Sequence, residues 1–315
     1  MRLPRLSPAA YRRITLIAAL LLAVIIVTGG AVRITGSGLG CPRWPNCTSG
    51  SLVPRNASDG HAMVEFVNRV FTGAVSIVVI LAVLGSFLRV PRRRDLIWLS
   101  VGLVVGVIVQ AVIGGLAVIY ELRPEFVMTH FLVSLALLTN AMVLHRRAGE
   151  PRAPAEPVVV PQVRLLGRVL LCGAAAVVII GTIVTSTGPH GGDRKAKRFT
   201  LELPQVARAH GAAVIFFLGV ALLTLWALRR TRAPVVVQRR LELLFLVSVA
   251  QAGIGYYQYF NDIPALAVGF HIAGATAVWA ATVAVYQSMF WRPPPAVDQP
   301  TERAPAAARE ALATA

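Results

Sequence analysis

Eight stretches of this chain, residues 14–32, 64–88, 96–119, 126–144, 169–184, 207–228, 241–257 and 265–289, are apolar enough and long enough to read as bilayer-crossing segments. In hydrocarbon every backbone polar group must be satisfied within the structure, so such stretches become helices and the chain a helical bundle. Apolar residues make up 56% of the sequence and charged residues 14%, with a mean hydropathy of +0.67, which leaves no room for a soluble domain. The first stretch follows Arg12-Arg13 but is long for the apolar core of a signal peptide, and is read as retained. The fifth is the weakest, because it runs into a Gly, Thr and Ser-rich end. The expected fold is an all-α integral membrane protein of eight transmembrane helices.

The eight fall into two sets of four. Gln110-Ala-Val-Ile-Gly114 leads to His130 and Gln251-Ala-Gly-Ile-Gly255 leads to His271, with a spacing of 20 in both cases and an offset of 141 between them. At an offset of 152, Gly29–Gly40 aligns with Gly181–Gly192, sharing Thr35-Gly36 with Thr187-Gly188. A duplication of this kind predicts two similar units. The expected division is a first half over residues 1–145, a Pro/Arg/Ala linker over 146–163, a second half over 164–291 and a disordered tail over 292–315.

The formal net charge of +17 invites a nucleic-acid reading, which its distribution opposes. With the N-terminus cytoplasmic, 21 of the 31 Lys and Arg fall on cytoplasmic segments and 10 on the outer side. This is the positive-inside bias of a multi-pass membrane protein, with both termini cytoplasmic. The partner implied is the lipid bilayer, with no nucleic acid. Four helices per half then make the repeats parallel, related by a pseudo-two-fold axis along the membrane normal.

Asn68, His130, His210 and His271 each lie one to two turns into helices that enter from the outer face, on the order of 5–10 Å below their ends. His210 and His271, from two helices of one half, suit two-imidazole ligation of a b-type haem iron. The competing reading is a pair of packing histidines bonded to backbone or hydroxyls. In the first half Asn68 stands where His210 has its counterpart, and an amide is a poor iron ligand beside an imidazole. His130 is therefore the single imidazole of that half, which points to a cofactor in one half and a substrate in the other. Glu65, one turn before Asn68, is a candidate for chemistry or else a helix-start carboxylate. Arg33, Arg69 and Arg208 stand near the same outer level, fit either to bind carboxylates such as haem propionates or to snorkel. His190 lies in an outer loop near that level. Cys41 and Cys47, six apart in the long outer loop, can close a disulfide on an oxidising face, as a staple or as a redox relay. Cys172 reads as a packing residue.

Taken together these residues resemble the haem A synthase family. The family's R-x-T-G-S-G-L-x-C-P-x-W-P-x-C stretch is matched by Arg33 to Cys47, and a second outer-loop motif by Thr187-Gly-Pro-His190-Gly-Gly-Asp193. The resemblance covers Tyr11 to about Trp291. It implies haem b held in the second half by His210 and His271. It implies haem O bound in the first half, with His130 on its iron, and oxidation of its C8 methyl through an alcohol to a formyl group. It implies an essential glutamate at Glu65, and a redox role for Cys41 and Cys47. The family's E-x-x-H-R motif reads Glu65-Phe-Val-Asn68-Arg69 here, so the expected histidine is absent. The partners implied are a haem O synthase upstream, an electron donor and oxidase assembly downstream; association into a homo-oligomer is left open.

Two rival readings belong to other classes. A non-enzymatic two-haem membrane cytochrome would want two imidazoles in each half, which Asn68 opposes. A parallel-repeat transporter would place its ionisable residues near the midplane, whereas these cluster in the outer third.

Overall fold

The computed structural model describes residues 5–56 and 58–294. Eight α-helices follow in order: α1 (Pro8–Ile34), α2 (Gly60–Leu88), α3 (Arg94–Ile119), α4 (Pro124–Ala148), α5 (Pro161–Thr187), α6 (Leu203–Arg230), α7 (Val235–Phe260) and α8 (Ala265–Ser288). The tail expected over 292–315 lies outside the described residues from 295 onward. Local chemistry starts the helices. Ser7 caps α1 through Ala10 N–H at 3.2 Å, Asp59 caps α2 through Ala62 N–H at 3.1 Å, and prolines occupy the first turn of α1, α4, α5 and α6.

Seven of the eight are long and apolar enough to cross a membrane. This is a multi-pass membrane protein. The weak helix is α7, not the fifth as expected. Polarity in the last turns of α5 is internalised, since Thr182, Thr185 and Thr187 donate to the carbonyls of Ile179, Gly181 and Ile183 at 2.7–3.0 Å. Helix α7 instead carries Arg239, Arg240 and Glu242 near its start and Gln251 and Gln258 further on, which lower its hydropathy throughout.

Within each half the helices close a ring. Helix α1 packs on α2 and α4, and α3 on the same two; α5 packs on α6 and α8, and α7 on the same two. Between halves α1 meets α8, α4 meets α5, and α4 meets α8. Exchanging α1–α4 for α5–α8 leaves this neighbour list unchanged. Each half has its own apolar core, one around Tyr11, Val79, Leu96, Leu103 and Leu144, the other around Val163, Leu170, Leu228, Leu241 and Met289. Trp279 on α8 packs against both, and its indole N–H donates across to Thr139 Oγ1 at 2.9 Å and Leu135 O at 3.2 Å on α4.

The repeat extends to backbone conformation. Glu121 and Leu122, before α4, both have positive φ (53° and 57°), as do Asp262 and Ile263, before α8 (56° and 55°), again at an offset of 141. Leu122 N–H bonds Ala117 O at 2.7 Å, and Ile263 N–H bonds Gln258 O at 3.0 Å, closing the same turn. A left-handed conformation costs a non-glycine residue roughly 1–2 kcal/mol, so both turns are held by their surroundings. Each sets the start of the helix that carries a histidine eight residues later.

The two loops read from the sequence as outer, between α1 and α2 and between α5 and α6, meet. Gly38 N–H donates to Gly192 O at 2.8 Å, and Arg33 donates to His190 O at 2.6 Å and Thr185 O at 2.8 Å. At the opposite end, Glu156–Pro157 pairs antiparallel with Phe290–Trp291, and Arg146 and Arg292 both pair with Glu150. The linker is thereby tied to the end of α8.

Candidate functional site

The six histidines divide into two groups of three. His61 Nδ1 bonds Ser37 Oγ at 3.1 Å, His145 Nδ1 bonds Thr15 Oγ1 at 3.2 Å, and His190 Nε2 bonds Ile263 O at 2.8 Å. His130 and His271 each hold a buried Nδ1 with no hydrogen-bond partner among the described residues, and the equally buried Nδ1 of His210 has only the Val177 backbone near it, outside good hydrogen-bond geometry. A buried polar atom left without a partner is uncommon and calls for a reason. These three are the histidines that the sequence singles out as iron ligands. They stand six or seven residues into α4, α6 and α8, and Asn68 eight residues into α2. At the helical rise this is roughly 9–12 Å below the outer helix ends, slightly deeper than expected because α2, α4 and α6 begin earlier than their apolar runs.

Each of the three imidazoles lies against a glycine of the preceding helix. A Cβ at Gly114 would sit 3.2 Å from His130 Cε1, one at Gly181 would sit 3.0 Å from His210 Cε1, and one at Gly255 would sit 3.2 Å from His271 Cε1. Glycine here makes room for a ring rather than for a turn. The repeated glutamines complete the placement: Gln110 Nε2 donates to His130 O at 3.0 Å and Gln251 Nε2 to His271 O at 2.7 Å.

His210 and His271 come together, with ring centroids 6.4 Å apart and an interplanar angle of 70°. Two imidazoles bound axially to one metal atom, with metal–nitrogen bonds of about 2.0–2.1 Å, place their centroids about 6.3 Å apart. The separation of the two rings would admit one iron between them. In the first half, Asn68 Oδ1 instead accepts from Thr28 Oγ1 on α1 at 2.9 Å, and Gly29, the repeat partner of Gly181, has nothing within 4 Å of where a Cβ would stand. No hydrogen bond joins Asn68 to His130 among the described residues.

Glu65 is buried, and it faces the long outer loop rather than Asn68. Its Oε2 accepts from Cys41 N–H at 2.7 Å, and its Oε1 pairs with Arg69. Arg69 goes on to donate to Cys41 O at 2.9 Å, Asn46 O at 3.2 Å and Pro45 O at 3.3 Å. Cys41 and Cys47 form a disulfide, so Glu65 and Arg69 grip both ends of the bridged loop. Arg33 is spent on the second outer loop, as described above. Arg208 is exposed, with its Nε bonded to Pro204 O at 3.2 Å one turn back. Cys172 is a free thiol on an exposed face of α5 and does not pack as expected. In the second outer loop, Arg198 braces Gly188 O and Pro189 O, and burial lowers its pKa from the ordinary guanidinium value.

Residues 12–189 match the COX15-CtaA family model, described as cytochrome oxidase assembly protein. That span holds the first half from residue 12 onward, α5 and the beginning of the second outer loop, and it exceeds half of the chain. The chain belongs to this family. Similar relatives bear the name heme A synthase. One from Shouchella clausii is 26% identical over 277 residues, covering 82% of this chain and 90% of its own length. One from Bacillus licheniformis is 24% identical over 203 residues, covering 64% and 65%. One from Exiguobacterium sp. is 30% identical over 122 residues, spanning 38% of this chain and only 40% of that relative. The membership in the haem A synthase family that the loop and histidine motifs imply is borne out.

The Gln–His spacing and the histidines were readable in the sequence. What it did not single out is the glycine beside each ring: Gly114 and Gly255 belong to the repeated motif, while Gly181 could have been found as the repeat partner of Gly29. The Asn68–Thr28 bond has no sequence signal, since Ile180 stands at the matching place in the other half.

Proposed function

We propose that this chain is a haem A synthase, oxidising the C8 methyl of haem O through a hydroxymethyl intermediate to the formyl group of haem A. The observation that carries the reading is the division of the histidines. Three are bonded to the protein. The other three are cupped by glycines with a buried nitrogen unpaired, two of them at the separation of axial ligands and one alone in the opposite half.

On this reading His210 and His271 hold haem b, which supplies one-electron transfer when bound. Gly181 and Gly255 let the two rings approach, and Gln251 fixes the backbone of the second. His130 holds the iron of haem O from one side. Asn68, engaged by Thr28, offers no imidazole from the other, so the first half holds its substrate through one strong protein ligand. Glu65 places a negative charge beside the bridged loop. Its oxygens accept from Cys41 N–H and from Arg69, which fixes Cys41, and each keeps a lone pair with which the carboxylate takes a proton or balances positive charge developing at the reacting carbon. The two halves are parallel repeats about a pseudo-two-fold axis, all eight helices cross the plasma membrane, and both termini are cytoplasmic. Haem O reaches the site from a haem O synthase, and a separate donor supplies electrons.

The test is extraction and identification of the haems from purified protein. Haem b accompanied by O- or A-type haem supports the synthase. Haem b alone in cells that make haem O contradicts it and favours a membrane cytochrome.

A further inference from the structure

The bridged loop carries an aromatic residue that ligand chemistry does not use. Trp44 lies flat against α3, where a Cβ at Gly115 would stand 2.6 Å from its Cδ2 and 2.7 Å from its Cε2. Only glycine admits the indole there. Gly115 directly follows Gly114, the residue that makes room for His130, so two adjacent glycines receive two rings, one from α4 and one from the loop. In the other half the same pair reads Gly255-Tyr256. Gly255 makes room for His271, but Tyr256 projects its own side chain, 59% exposed. The second half receives one ring where the first receives two.

The loop is also held from the α2 side, by the Arg69 and Glu65 bonds described above. Ala62, Glu65 and Arg69 lie at helical spacing on the stripe that continues into buried Val75, Val79 and Ala82. The loop therefore covers the outer end of the helix face that, deeper down, builds the first-half core. Trp44 keeps 41% of its surface exposed, leaving part of the indole free to meet a ligand.

We propose that Trp44 is a substrate-positioning residue, its indole forming the outer wall of the first-half site and packing on the haem O macrocycle beside His130. A flat, rigid aromatic face suits a flat conjugated ligand and adds contact at little conformational cost. The disulfide and the Glu65–Arg69 pair hold that wall in register. This proposal rests on the reading of the first half as the haem O site.

The experiment is titration of the purified full-length protein with haem O, followed by absorbance, with haem b content and free thiols measured on the same samples. Trp44→Ala and Gly115→Ala are each expected to weaken haem O binding about tenfold, because one contact is removed from either side. The double variant is expected to be no weaker than the single ones, and Trp44→Phe to recover most of the affinity. Haem b content and the closed disulfide are expected to remain as in the unsubstituted protein. Unchanged haem O affinity in Trp44→Ala would overturn the proposal, as would additive losses in the double variant. Loss of haem b in Trp44→Ala would assign the indole to the fold as a whole and overturn it too. Failure of the unsubstituted chain to bind haem O would instead sink the functional reading itself.

Discussion

The two halves of this protein share every device that places a histidine and differ in what surrounds the last ligand position. Both have the same ring of helix neighbours, the same left-handed turn before the fourth helix, and the same glutamine bonded to a histidine carbonyl. They part at Asn68 and His210, at Gly29 and Gly181, and over the outer end. There a disulfide loop gripped by Glu65 and Arg69 covers one half, and an Arg198-braced loop covers the other. The scaffold is carried by backbone features that tolerate changes of side chain. The differences are confined to a few positions that the scaffold leaves free, which is what the proposed function requires of a fold that holds a permanent haem on one side and a transient one on the other.

The comparison breaks most completely if the second-half ligands are dispensable. His210→Ala and His271→Ala are each expected to abolish the low-spin haem b and all haem A formation, since one imidazole supplies only one axial bond. Pigment analysis of the purified variants is the check, and normal haem b in both would remove these residues from the ligand set. In the first half, Glu65→Gln is nearly isosteric but removes the charge that pairs with Arg69. Haem b is expected to stay while oxidation slows by about 10²-fold, leaving haem O or its alcohol on the protein. Haem A at the unsubstituted level would reduce Glu65 to a helix-start carboxylate.

Much of this was legible in the sequence because membrane imposes strong patterns. Long apolar runs must be helices, and a polar residue such as His130 within them stands out. What was not legible depends on where helices turn toward one another. The charges of α7 and the self-bonded threonines of α5 reverse the expected order of strength between those two helices. Glu65 lies at i,i+3 from Asn68, a spacing that suggests a shared site, yet the loop folds back and claims its carboxylate. The repeated left-handed turn is hidden because no glycine marks the place: Glu121, Leu122 and Ile263 are of types that rarely adopt it, and Asp262 alone is of a type that visits it.

Smaller changes sharpen the contrast. Opening the disulfide with Cys41→Ser and Cys47→Ser is expected to cost about 2 kcal/mol of local constraint and to lower activity while haem b content stays intact. Equal losses of both would mean that the loop supports the whole bundle. Four glycines occupy, or in the case of Gly29 mirror, the positions beside the imidazoles, and three are predicted to matter. Gly181→Ala and Gly255→Ala would press a methyl on His210 and His271, and are expected to shift the haem b spectrum. Gly114→Ala is expected to affect only the substrate half. Gly29→Ala, with nothing within 4 Å, is expected to be silent; a spectral change there would show that Asn68 sits closer to a ligand than its bond to Thr28 suggests.

On the proposed ligand set the halves differ in ligand strength, two imidazoles against one. Electron paramagnetic resonance of the purified, unsubstituted protein loaded with haem O measures it directly. The expected result is a low-spin signal from the haem of His210 and His271 beside a substantially high-spin signal from the haem of His130, the latter turning low-spin in Asn68→His. A substrate haem that is wholly low-spin in the unsubstituted protein would mean a second strong ligand opposite His130, and the two halves would then not differ in ligand strength.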